Sequence, residues 1–137
     1  MRDPVPVNKD QDSASTILVV EDEVLIRLHV AEELREAGFA VLEAADAGEA
    51  LEILNHVDGV ELIATDLRMP GELDGLALAR KVRLEFPHIK VVLMSGNYVS
   101  PEPALDAVFC KPLKIEAFVR QIQQLLQRAE HGGCGGR

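Results

Sequence analysis

Short apolar runs alternating with segments of helical period set the tightest limit on what this chain can fold into. Ile17–Val20 is wholly apolar and flanked by polar residues, the pattern of a parallel strand buried on both faces. Val24, Leu28, Ala31 and Leu34 then recur at helical spacing, and Gly38 stands where a helix-ending glycine belongs. Ala40–Glu43 reads as a second strand. Asp46 precedes Ala47, Ala50, Leu51 and Leu54, with Glu49 three residues on, which resembles a capping box. Val60–Thr65 reads as a third strand ending at Asp66, followed by a break at Met69-Pro70-Gly71 and a helical stripe through Leu76, Ala79 and Val82. Lys90–Met94 and Ala107–Cys110 complete the strands. A last helix carries Ile115, Phe118, Val119, Ile122, Leu125 and Leu126 on one face. Strand–helix alternation with buried strands means an α/β domain, a doubly wound parallel sheet covered on both sides.

One connection breaks the alternation. Only 11 residues separate Ser95 from Ala107, and Pro101 and Pro103 fall among them. A parallel crossover normally takes about a dozen residues or more, and proline blocks helix interiors. The fourth helix is therefore expected to be absent or cut to a turn around Pro103–Asp106.

The 137 residues suit one domain, with 47% hydrophobic residues and a formal net charge of −9. That acidity excludes a nucleic-acid-binding surface, which needs excess Lys and Arg. No apolar run approaches the roughly 20 residues that span a bilayer, and 1–15 has no signal-peptide core. A cytoplasmic protein is expected, with Cys110 and Cys134 as reduced thiols, Cys110 as a small apolar strand residue, and Cys134 in a flexible glycine-rich tail over 129–137. The domain is expected over 16–128, after a disordered segment 1–15. His29, His56, His88 and His131 have no metal-ligand spacing and read as surface residues.

In a doubly wound sheet, ligands bind beyond the carboxyl ends of the strands. Those ends carry Glu21 and Asp22, then Asp66, Ser95 and Lys111. Crowded carboxylates repel one another unless a cation offsets them. Mg²⁺ takes oxygen ligands of this kind, and a carboxylate is a competent nucleophile towards phosphorus. Lys111 adds a cation and Ser95 a hydroxyl donor. The set is sufficient for phosphoryl uptake.

The chain resembles the receiver domains of bacterial two-component response regulators, the group that includes the chemotaxis regulators. The resemblance rests on Ile-Leu-Val-Val-Glu-Asp-Glu at 17–23, Thr-Asp-Leu-Arg-Met-Pro-Gly at 65–71, Asp-Gly at 74–75, Met-Ser-Gly at 94–96 and Lys-Pro-Leu at 111–113. It implies a flavodoxin-like, five-stranded sheet of order 2-1-3-4-5. It further implies Asp66 as phosphoacceptor, with Mg²⁺ held by Asp22, Asp66, the Arg68 backbone carbonyl and Glu21 nearby or through water. Ser95 would hydrogen-bond a phosphoryl oxygen, and Lys111 would pair with Asp66 and then with the phosphate. Lys111–Pro112 is a candidate cis bond. The implied partner is a histidine kinase or histidine phosphotransfer protein, the implied state a monomer or weak dimer. The chain would be a switch that catalyses only its own phosphorylation and dephosphorylation and, having no output domain, signals through another protein.

Four features depart from the family pattern. Glu21 stands where Asp is commoner, and the Met69–Gly75 connection is one residue longer than usual. Val108 occupies the place of a switch aromatic three residues before the lysine; Phe109 should face the other way, leaving Tyr98 as the candidate stand-in. The fourth helix, a common docking surface, is curtailed, so activation would proceed by ordering the loop at 96–103. Two other functions stay open: a phosphorylation-independent interaction module of the same fold, and an Mg²⁺-dependent phosphatase, against which Asp66-Leu67-Arg68 lacks an Asp-x-Asp pair.

Overall fold

The structure, a computed structural model, describes residues 14–131. The elements run β1 (Thr16–Val20), α1 (Val24–Glu36), β2 (Ala40–Ala44), α2 (Ala47–His56), β3 (Val60–Asp66), α3 (Gly75–Glu85), β4 (Lys90–Ser95), β5 (Ala107–Cys110) and α4 (Ile115–His131). The five strands are parallel in the order β2-β1-β3-β4-β5, as the sequence led us to expect. Helix α4 continues three residues past the expected boundary at 128. Most of the expected 1–15 segment, and the tail from residue 132 with Cys134, lie outside the described residues.

Alternation along the strands sorts the core into two layers. Ile17, Val19, Leu62, Ala64, Val92 and Met94 pack under α1 and α4, against Val30, Leu34, Phe118, Ile122 and Leu126. Leu18, Val20, Ile63 and Val91 face α2 and α3, against Ala50, Leu54, Leu78 and Val82. The first half of the α1 stripe does not join either layer. Val24 and Leu28 are exposed, and α1 buries only Val30, Ala31 and Leu34.

Local chemistry fixes the turns. Asp46 accepts a hydrogen bond from Glu49 N–H at 2.8 Å while the Glu49 carboxylate accepts from Ala45 N–H at 2.8 Å, which caps α2. Gly38, at φ 105°, closes α1: its N–H donates to the Arg35 carbonyl and that of Phe39 to Leu34, a Schellman pattern that favours glycine.

No helix intervenes between β4 and β5. The segment makes one turn, with Leu105 N–H donating to the Glu102 carbonyl at 3.0 Å, and buries Ala104 where a helix would otherwise sit. Side chains of α3 hold it. Arg80 grips Glu102 through two hydrogen bonds of 2.8 and 2.9 Å, and Arg83 meets Asp106 at 2.6 Å. Asp106 also accepts from Val91 N–H at 2.7 Å and returns its own N–H to the Val91 carbonyl, so the segment is tied to the sheet as well.

Helix α3 begins in contact with the end of β3. Gly75 N–H donates to the Leu67 carbonyl at 2.8 Å, and Asp74 caps the helix by accepting from Ala77 N–H. A Cβ on Gly75 would stand 2.0 Å from the Asp66 carbonyl oxygen and 2.8 Å from Leu67 Cα. Only glycine lets the helix approach so closely. Gly75→Ala is expected to cost about 1–3 kcal/mol, the usual range for forced overpacking. A lower urea midpoint would show it; an unchanged midpoint would mean that α3 shifts freely.

Candidate functional site

The register of the sheet brings four strand ends to one edge. Val20 is level with Ala44 and Thr65, Asp66 with Met94, and Ser95 with Cys110. The next residues after β1 and β5 are Glu21 and Lys111. The backbone extends this frame past the strands, since Glu21 N–H donates to Ala44 O, Leu67 N–H to Met94 O and Lys111 N–H to Ser95 O.

Three carboxylates meet here. Glu21, Asp22 and Asp66 each place an oxygen within 4.8 Å of the other two. Glu21 is 2% exposed and Asp66 6%, whereas Asp22 is open to solvent. Lys111 Nζ donates to Asp66 Oδ1 in a short contact and to Glu21 Oε1 at 3.3 Å, neutralising part of the buried charge. Glu21 bends its longer side chain back, and its second oxygen accepts from Glu23 N–H at 3.1 Å. The extra methylene relative to Asp is therefore absorbed by a local turn.

The electrostatics follow from this crowding. Burial pushes the Glu21 carboxyl above its ordinary value, and the Asp66 charge adds to the rise; the Glu23 N–H and Lys111 oppose it. Burial alone would lower the Lys111 ammonium, but the hydrogen bond and charge of Asp66, with Glu21 beside it, hold it above the usual lysine value.

Ser95 is buried beside this group. Its hydroxyl donates to the Asn97 carbonyl at 2.9 Å and accepts from Asn97 N–H at 3.0 Å. Arg68 lies in the turn after β3 with an exposed side chain, and Lys111–Pro112 is cis. Val108 pairs with Leu93 in the ladder, while Phe109 packs edge-on against Phe118, with ring centroids 4.8 Å apart. Phe109 is thus committed to the α4 layer. Tyr98 is 84% exposed. Cys110, expected as an apolar strand residue, is exposed because β5 is the outer strand and Cys110 its last residue. His29, His56 and His88 are exposed, as expected of surface residues.

Two residues near the site had no motif to announce them. Arg27 Nη1 donates to the Glu21 carbonyl at 2.8 Å, and Glu43 holds Arg27 Nε at 3.2 Å. Their pairing depends on the β1–β2 register, which no local spacing encodes. Beside the site lies an apolar groove of about 570 Å³, formed by Leu25, Ile26, His29 and Val30 of α1 and by Lys111 to Leu113 with Ile115. Val24, Leu25 and Leu28 of the same helix are exposed.

The buried charge of Glu21 makes a stability prediction. Glu21→Gln should raise the thermal midpoint of the metal-free protein at neutral pH, because an ionised carboxylate held at a cost is removed. A raised carboxyl value favours the folded state below the unfolded value near 4.5, and that advantage is lost as pH rises through the folded value. The gap between variant and wild type should therefore narrow as pH falls through this window. A gap independent of pH would exclude Glu21 ionisation as its source.

Comparison with known proteins shows the family and the fold. The family model described as the response regulator receiver domain matches residues 17–123. Sensor kinase CckA of Brucella abortus is 31% identical over 128 residues, covering 88% of this chain and 13% of the kinase. The crystal structure of the receiver domain from hybrid histidine kinase CckA has a TM-score of 0.72 at 35% identity, covering 82% of this chain and 99% of that one. The response regulator TrrA of Thermotoga maritima, solved in complex with Mg²⁺–BeF, gives a TM-score of 0.74 at 28% identity, over 81% of this chain and 98% of that one. The chain spans about half the length, or less, of the curated relatives it matches.

Proposed function

The chain belongs to the response regulator receiver domain family, and from that premise we propose that it is a signalling switch phosphorylated on Asp66. The observation that carries this reading is the meeting of Asp66 with Glu21, Asp22 and Lys111 at one edge of the sheet. An interaction module independent of phosphate would have no need of that convergence.

The donor set suits a hard divalent cation, with three carboxylate oxygens close together. Asp22, Asp66, the Arg68 backbone carbonyl and Glu21, directly or through water, would hold Mg²⁺. Bound there, the ion would offset the charge of the phosphoryl oxygens. In the transfer, an Asp66 carboxylate oxygen forms a bond to phosphorus, and the bond from phosphorus to the donor imidazole breaks with its electron pair leaving on nitrogen. Lys111, already on Asp66, needs only a small movement to reach a phosphoryl oxygen. The product is a conformational state, so the protein acts as its own substrate and not as a turnover enzyme.

The donor is a histidine kinase or histidine phosphotransfer protein in the cytoplasm. Its histidine has to reach Asp66, and the apolar groove bordered by Lys111 offers a surface for the helix that bears it. Among the described residues no helix is long and apolar enough to cross a membrane.

Intact mass after incubation with acetyl phosphate tests the reading. One adduct of phosphoryl mass is expected with Mg²⁺ present, and none with Asp66→Asn or after chelation. Absence of any adduct in the wild type would favour the phosphate-independent module.

The signal leaves through the β4–β5 connection. For Ser95 to donate to a phosphoryl oxygen, its hydrogen must leave the Asn97 carbonyl, and the turn at 95–97 must reform. Beyond it, Glu102 and Asp106 are pinned to α3, which confines the rearrangement to the stretch from Gly96 to Pro101. Tyr98 lies in that stretch and is the one tyrosine of a chain without tryptophan. Its fluorescence should change on adding beryllofluoride with Mg²⁺ to the wild type and change much less in Ser95→Ala. Identical spectra with and without beryllofluoride in a phosphorylatable wild type would remove this loop as the output.

A further inference from the structure

The acidic turn after β1 is braced from behind by a cation that belongs to no part of the phosphoryl-accepting set. Both backbone groups of Glu21 are tied to β2. Its N–H donates directly to the Ala44 carbonyl at 3.0 Å. Its carbonyl accepts from Arg27 Nη1 at 2.8 Å, and Arg27 is in turn held by Glu43, the residue before Ala44, through Nε to Oε1 at 3.2 Å. The Arg27 side chain is 17% exposed, so the link is largely shielded from competing water. The other Glu43 oxygen accepts from Arg35 at 3.2 Å, and Arg35 also donates to the Val41 carbonyl at 3.0 Å. Strand β2 thus carries a relay from Val41 through Arg35, Glu43 and Arg27 to the main chain of Glu21.

Guanidinium chemistry suits this role. Arg27 reaches two acceptors on different elements at once, with donors fixed in one plane, where an ammonium on a flexible stem would not hold both in fixed geometry. A cation beside an acidic cluster would ordinarily oppose the binding of a second cation. Glu43 offsets that charge, so the brace holds the turn with little adverse field.

We propose that Arg27, locked by Glu43, is a positioning residue. It fixes the Glu21 main chain so that the Glu21 and Asp22 carboxylates stand within reach of Asp66, and in doing so it sets the affinity of the cluster for a divalent cation. The inference rests on the reading of that cluster as an Mg²⁺ site, and adds that an ion pair outside the cluster controls its affinity. Groups that orient metal ligands from behind typically change affinity by about 10–100-fold when removed.

Calorimetric titration of the full chain with Mg²⁺ tests this on wild type, Arg27→Lys, Arg27→Met and the Arg27→Met/Glu43→Gln pair. Both single variants should bind Mg²⁺ about 10-fold more weakly, and adding Glu43→Gln should cost little more, because the brace is already broken. Urea midpoints without Mg²⁺ establish that each variant is folded under the titration conditions. Should Arg27→Met fail to fold, Arg27→Lys carries the test, since it keeps the charge and the aliphatic stem. If Arg27 acted only through its charge, Arg27→Met would bind Mg²⁺ more tightly and Arg27→Lys would match the wild type; either result overturns the proposal. Equal affinity in all the proteins overturns it too, while leaving the Mg²⁺ site intact. A wild type that takes up no Mg²⁺ would overturn the site reading and the brace together.

Discussion

The ion pair of Lys111 with Asp66 and Glu21 is the interaction on which the rest of this structure depends. Two nearly buried carboxylates within reach of each other would drive the strand ends apart if left alone. A single ammonium from β5's end meets both, joining the last strand of the sheet to the first and third across 90 and 45 residues of chain. A buried pair of this kind is not a strong source of stability, because desolvation offsets most of the attraction. Its value lies in readiness. On the proposed reading, the charges that would surround a phosphoryl group are already assembled, at some cost to the resting fold.

That cost explains how the neighbouring backbone is built. Glycine at position 75 allows α3 to start against the Asp66 carbonyl, which fixes the end of β3. Pairing of main-chain groups continues past the ends of β1, β3 and β5, through Glu21, Leu67 and Lys111. The site therefore sits on rigid main chain, and only the side with Ser95 and Asn97 leads into an exposed loop.

On that side the chain replaces a helix with two ion pairs. The span from β4 to β5 is too short for a helix and a return, so α3 supplies Arg80 and Arg83 to hold Glu102 and Asp106. These pairs lie near the surface, and each alone adds little stability. Together with Asp106 on Val91 and the burial of Ala104, they define where the connection is fixed and where it is free. The resulting division leaves Tyr98 in the free part, next to the one serine of the site.

The strand and helix order, the sheet class and the residues at the strand ends were legible in the sequence, because each depends on local pattern. Four-residue apolar runs such as Ile17–Val20 have no exposed face to offer, and motifs such as Lys-Pro-Leu at 111–113 keep their chemistry wherever the strand ends. The missing helix was legible too, from chain length and proline alone. Other features could be settled only in three dimensions. Val24 and Leu28 fit the helical stripe of α1 yet remain exposed, since periodicity shows which residues share a face but not how far the sheet extends beneath it. Cys110 read as a small apolar strand residue and is exposed, because position in the sheet order decides burial at an edge. Arg27 with Glu43, and Arg80 with Glu102, are ordinary charged residues until the register of strands and helices brings them within about 3 Å of each other. Sequence by itself determined the chemistry available at each strand end; tertiary structure decided which charges meet, because an ion pair depends on distance in space and sequence spacing does not measure it.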